Sequence, residues 1–285
     1  MKSLCISILV CLMFAACTRD PKTSSEAALP PSPDSLKNVF IPIFNGVWAM
    51  SDYIKDVEQT KSPFKSHTKL QGVVALIAGT EAEGDSMLID ASWNNHEGFS
   101  FYVHFSTGRQ PHSLPTSIPD FDVPANSYEL GYEGGPDNRE LALYHYDPSG
   151  KLLDKRMFTK IRNYQPNDDL AWGLQYVVNE KLISGTYQLA QGAKSPAQVT
   201  FTAEGATSGL GNFTTYRVTT DFIDAFQNSF DYICFFEGEE QLNGTCFVFE
   251  LKDQSLYLYE SVPDPETEIE KKGKLVYVLK KGVVN

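Results

Sequence analysis

Positive charge, histidine, cysteine and long apolar runs are all scarce in this chain. Lysine and arginine number 24 against 36 aspartates and glutamates, a net charge of −12. A chain that acidic lacks the cationic footprint needed to neutralise phosphates, which excludes general nucleic-acid binding. Anionic head groups repel it as well, so charge alone does not hold it on a membrane. No apolar run approaches the roughly 20 residues that a spanning helix requires. Enzyme signatures are missing too: there is no phosphate-cradling glycine loop, Gly-x-Ser-x-Gly elbow, His-Glu-x-x-His or Cys-x-x-Cys. The five histidines, His67, His96, His104, His112 and His145, are scattered without metal-ligand spacing. Neither a metal nor another cofactor is expected.

What is present starts with Lys2 and an uncharged stretch from Leu4 to Ala16, ending Phe14-Ala15-Ala16-Cys17. A positive start, a short apolar core and small closing residues predict a signal peptide over residues 1–16. Small residues ahead of a cysteine resemble the lipobox of bacterial lipoproteins. The resemblance implies that Cys17 receives a diacylglycerol and opens the mature protein. With Thr18 rather than aspartate next, it implies the outer membrane, on either face. Two or three acyl chains anchor stably, at about 0.8 kcal/mol per buried CH₂. Residues 17–38 carry Pro21, Pro30, Pro31 and Pro33 among Ser, Thr and Ala, and read as a semi-extended tether.

Cys5 and Cys11 leave with the signal, so Cys234 and Cys246 are the thiols of the body. Between them run a strand end, a polar stretch with Asn243-Gly244 and a new strand start, the pattern of a hairpin. If Ile233 pairs with Phe247, Cys234 faces Cys246 and a disulfide follows. The alternative is two reduced, buried thiols. An oxidising compartment favours the bridge.

Period-two alternation dominates the rest, as in Phe99-Ser100-Phe101-Tyr102-Val103-His104-Phe105. Strands are predicted near 44–50, 70–78, 86–93, 98–106, 127–133, 139–146 and 152–162. A second set falls near 183–190, 197–203, 212–219, 230–236, 245–251, 254–260 and 273–281. Helical spacing recurs at Met50, Tyr53, Ile54 and Val57, with Ser51 as N-cap, and at Leu170, Leu174, Val177 and Val178 after Asn167. The two strand sets correspond in order. Asn45-Gly46-Val47-Trp48 opens one and Ser184-Gly185-Thr186-Tyr187 the other, and Phe99 to Phe105 resembles Phe230 to Phe236. This predicts an internal duplication: a first domain 39–165, a linker helix 166–182 and a second domain 183–285.

The opening Gly-x-Trp resembles the start of lipocalin-like barrels, found singly or in tandem in bacterial lipoproteins. The resemblance implies an all-β fold of two consecutive antiparallel β-barrels with a few short helices. It also implies that Trp48 closes one barrel end under Arg156, Lys160 or Arg162, through a cation–π contact. Tyr187 takes that role in the second repeat, under Lys280 or Lys281. Seven strands per repeat also fit a tandem β-sandwich. In a hollow barrel, Trp93, Tyr102, His104, Tyr144 and Tyr146 are candidates to contact a ligand; in a filled one they are core.

The candidate for chemistry is Asp90 to Gly98, where His96 beside Glu97, with Asp90 on the approaching strand, would supply a base and its orienters. The alternative is a hairpin turn rich in turn formers. Thr107 to Asn126, with four prolines, predicts a long loop over a barrel mouth. The expected protein is an outer-membrane-anchored lipoprotein that binds a small lipophilic or amphipathic ligand non-covalently. Two other readings stand beside it: an envelope module binding glycan or protein through loop surfaces, and a hydrolase using Asp90, His96 and Glu97. Cys17→Ala is expected to abolish labelling by radioactive palmitate; labelling that survives the substitution rejects the anchor.

Overall fold

The computed structural model describes residues 30–192, 198–222, 230–238, 244–263 and 270–282. The predicted signal peptide, Cys17 and most of the predicted tether lie outside the described residues. Strands β1 (Gly46–Met50), β2 (Val73–Ala78), β3 (Ser86–Trp93), β4 (Glu97–His104), β5 (Ser113–Pro115), β6 (Ser127–Glu133), β7 (Glu140–Tyr146) and β8 (Leu152–Arg162) form one antiparallel sheet. Strands β9 (Gly185–Gln191), β10 (Gln198–Phe201), β11 (Thr207–Ser208), β12 (Thr215–Val218), β13 (Tyr232–Phe236), β14 (Thr245–Lys252), β15 (Ser255–Pro263) and β16 (Glu270–Lys281) form the second. The protein is all-β, with few helices: α1 (Pro33–Phe44), α2 (Ser51–Thr60), α3 (Pro63–Ser66) and α4 (Leu170–Val178).

Each sheet is a meander whose first and last strands pair. Trp48 on β1 sits opposite Lys160 on β8, and Tyr187 on β9 opposite Lys281 on β16. The remaining seam is narrow in both. In the first sheet β4 reaches the chain just past β5 at Val103 and Thr116, and the Ser117 N–H donates to the Tyr102 carbonyl at 2.9 Å. In the second, Ala206 bridges to Thr215. The first sheet is thereby nearly closed into a barrel. Both sheets and α4 belong to one compact unit, Pro31–Asn285.

Alternation sends one face of each strand inward. On β4, Phe101 and Val103 are buried while Ser100, Tyr102 and His104 point out. β2 is buried along its whole length because α4 covers its outer side. Gly173 lets that helix sit close, since a Cβ there would meet Val47 Cγ1 at 2.7 Å. Inside the first sheet, Trp48, Leu76, Met87, Phe101, Leu130, Leu143 and Phe158 pack as part of one continuous cluster. That cluster runs on through Phe201, Phe235, Phe249 and Leu279 of the second sheet. Each such side chain contributes about 1.5–3 kcal/mol by leaving water.

Ile233 pairs with Phe247, and the sulfurs of Cys234 and Cys246 lie 1.97 Å apart as a disulfide across β13 and β14. Three expectations need correction. Residues 33–38, read as tether, belong to α1, so the folded body begins before residue 39. Pro33 occupies the first helical turn, where a missing N–H costs nothing, and the Ser32 side chain accepts the Ser35 N–H. Leu36, Phe40 and Phe44, each four residues apart, then bury one stripe of the helix. Ser51 is the first residue of α2 rather than its N-cap; its hydroxyl donates to Glu140 Oε1 at 2.5 Å instead. The short strands β5 and β11 fall in segments read as loops. Phe40→Ala is expected to cost about 3 kcal/mol or more of unfolding free energy in urea. An unchanged midpoint would show that α1 is not docked.

Candidate functional site

The end of the first sheet opposite Trp48 is its mouth. There β2 and β8 begin and β3 and β7 end, around a cavity of about 800 Å³. Its walls include Trp93, Phe121, Tyr128, His145, Arg156 and Phe222. Trp93 closes β3 and meets the ring of Phe121 edge-on at 5.0 Å. Phe121 is 62% exposed and Val123 47%, so the loop tip leaves apolar surface at the rim. Phe222 reaches in from the second half and packs edge-on against Phe64 at 5.8 Å.

Asp120 fastens this loop. Only 7% exposed, its carboxylate accepts the Asp122 and Val123 N–H groups at 2.9 and 3.0 Å and Asn126 Nδ2 at 2.7 Å. It also lies 2.8 Å from His145 Nε2, while His145 Nδ1 lies 2.9 Å from Asp154 Oδ2. Both contacts are hydrogen bonds together only when both ring nitrogens carry a proton. The imidazole stacks on Tyr128 at 4.3 Å, with planes 9° apart. The Val123 N–H leads the bonds that hold the Asp120 carboxyl down to about 2, against the opposing effect of burial. Burial, with Asp120 and Asp154 nearby, pushes the Tyr128 hydroxyl up to about 12, so it stays protonated. Arg156 crosses the opening to donate to the Gln71 carbonyl.

Among the sequence candidates for ligand contact, Trp93 reaches this mouth and the others do not. Tyr102 is 43% exposed on the outer face of β4, and His104 Nδ1 lies 2.8 Å from Ser86 Oγ on the same face. Tyr144 and Tyr146 are buried, but on the opposite side of β7 from the main core, with Ala142 and Met157. Arg109 covers them at 4.6 Å from the Tyr146 ring, and Gln110 donates to the Tyr146 hydroxyl. A shared face was readable from the period of two. Which face turned inward was not, because both faces of β7 are apolar.

Asp90 accepts a hydrogen bond from Ser100 Oγ at 2.6 Å. It stands three register pairs from the Trp93–Glu97 pair, roughly 10 Å along the hairpin. His96 Nδ1 lies 2.8 Å from Asp221 Oδ2, a carboxylate of the second half, and Asn95 beside it donates to the Thr220 carbonyl at 2.8 Å. The structure therefore brings His96 to Asp221, and Asp90 to Ser100.

At the opposite ends, Lys160 Nζ lies 5.4 Å from the Trp48 ring centre and Lys281 Nζ 5.8 Å from that of Tyr187. Each aromatic also donates to a carbonyl four residues back: Trp48 Nε1–H to Phe44 at 2.8 Å, Tyr187 O–H to Ile183 at 2.7 Å. Arg162 stacks on Trp172 instead. Among the described residues, no three or more His, Cys, Asp or Glu side chains are grouped to hold a metal ion. Sequence reasoning missed Asp120, Phe121, Asp154 and the role of His145. The available signal was Asp120-Phe121-Asp122 inside the long loop, an aspartate placed to accept its own downstream N–H groups.

No protein-family model matches the chain, and no curated protein matches it.

Stabilisation by Asp120 is complete above about pH 4, the ordinary aspartate range, and is lost as pH falls toward 2. The NMR signals of the Asp122 and Val123 amides should therefore move together with a midpoint near 2. A midpoint near 4, that of a free carboxylate, rejects the clamp.

Proposed function

We propose that this is a lipid-anchored protein of the bacterial envelope that holds a small amphipathic molecule, non-covalently, in the mouth of its first sheet. The observation that carries the reading is the cavity of about 800 Å³ between Trp93, Phe121 and Tyr128. Aromatic walls suit a flat apolar body, and Asp154 and Arg156 offer partners for polar groups at its edge. The side chains beneath the mouth are packed, so the ligand sits in the opening rather than in a deep lumen. The anchor rests on Phe14-Ala15-Ala16-Cys17 and the uncharged stretch before it.

A second reading has its own support. An exposed aromatic at a rim beside carboxylate, amide and guanidinium groups also suits a sugar, whose apolar face stacks while its hydroxyls hydrogen-bond. The envelope ligand under that reading is a glycan.

The test is native mass spectrometry of the full chain released from membranes in detergent, with organic and aqueous extraction of whatever accompanies it. The expected result is a one-to-one amphipathic adduct, bound about tenfold more weakly by Trp93→Ala, or 1.4 kcal/mol. An adduct retained equally by Trp93→Ala and Phe121→Ala places the ligand elsewhere and rejects the mouth. An oligosaccharide adduct selects the glycan.

A further inference from the structure

The second sheet has a small cavity of its own, about 270 Å³, at the end where β9 meets β16. Lys61, Lys181, Lys252 and Lys281 surround it, over an apolar floor that includes Leu182 and Tyr187. The chain as a whole carries a net charge of −12, so four ammonium groups lining one concavity stand out. They come from four places: the end of α2, the turn after α4, the end of β14 and the end of β16. The fold, not a local run of sequence, assembles them.

Two of the four have carboxylate partners. Lys181 pairs with Glu58 at 3.1 Å and Glu180 at 3.5 Å, and Lys252 with Glu250 at 2.6 Å. Lys61 and Lys281 form no ion pair among the described residues. Asp253 is the one carboxylate among the described residues on the wall. Lys61 also occupies a costly position. It ends α2 with φ 55° and ψ 29°, the left-handed conformation that glycine adopts freely and any Cβ resists. A lysine there places a charge at the cavity at the expense of backbone comfort.

We infer that this cavity is an anion site for a phosphate-type group, free or carried on a small organic or lipid head group. Four ammonium groups from separate directions match an anion whose charge is spread over several oxygens. Lys61 and Lys281, which have no carboxylate partner among the described residues, gain an anionic one when such a group enters. Leu251, half-buried on the same wall, then faces whatever the phosphate carries. The site lies on the second sheet and does not rest on the reading given for the mouth.

The test is calorimetric titration of the full chain, in detergent at low salt, with inorganic phosphate and separately with glycerol 3-phosphate. The expected result is saturable one-to-one binding that weakens as sodium chloride is added. Lys61→Gly should weaken it about tenfold or more, while the thermal midpoint holds or rises because glycine relaxes the left-handed residue. Lys281→Gln should weaken binding similarly, and Lys155→Gln, on the first sheet, should leave it unchanged. Glycerol 3-phosphate binding about tenfold tighter than phosphate assigns a head group; equal affinities assign the free anion. Absence of saturable binding of either probe up to about 10 mM, or binding that survives both Lys61→Gly and Lys281→Gln, overturns the proposal.

Discussion

A meander of antiparallel strands can bury one face only by rolling up, and it stays rolled only if its first strand finds its last. This chain makes that closure twice, at β1 with β8 and at β9 with β16. In each case the residue facing the closing aromatic across the pair is a lysine, which lays its ammonium group over the ring. The same aromatic spends its polar hydrogen on the segment entering the sheet. Phe44 at the end of α1 and Ile183 after α4 are both held this way. One pair of strands thus fixes the seam, the approach of the preceding helix and the blocked end. The opposite end is left for loops, and there the long segment from Thr107 to Asn126 comes to lie.

Much of this was legible because alternation is a strong signal where one face meets a core and the other meets water. Phe101 and Val103 against Tyr102 and His104 is such a case. The signal fails where strands are short or both faces are covered. β11 has two residues and β5 three, too few to show a period. Tyr144 and Tyr146 form a satellite core under Arg109, so burial on β7 did not distinguish inside from outside. Proline misled at α1, where Pro33 opens a helix instead of extending a tether. Gly173, a weak point on helix propensity alone, is what lets α4 come within contact of Val47.

The mouth was less legible than the scaffold. Asp120, His145 and Asp154 come from a loop and from two neighbouring strands, and no spacing in the sequence marks them as a group. Their association depends on where the long loop lands, which depends in turn on how the sheet closes. The pairing of His96 with Asp221 is hidden for the same reason, since its two members lie in different halves of the chain. Local chemistry was readable at Asp90 to Gly98, but its partners were not.

The joint between the halves has a further consequence. Asp231 accepts the Phe64 N–H at 2.7 Å, and burial holds its carboxyl above the usual range. Asn95 donates to Thr220, and Phe222 stands against Phe64 and beside the mouth. The two halves share a strand plan, yet each of these contacts joins a residue of the first half to one of the second. They are therefore not exchangeable modules. A gene fragment ending at α4 would encode eight strands with one wall of the opening missing, and a tandem of two first halves would lack it as well.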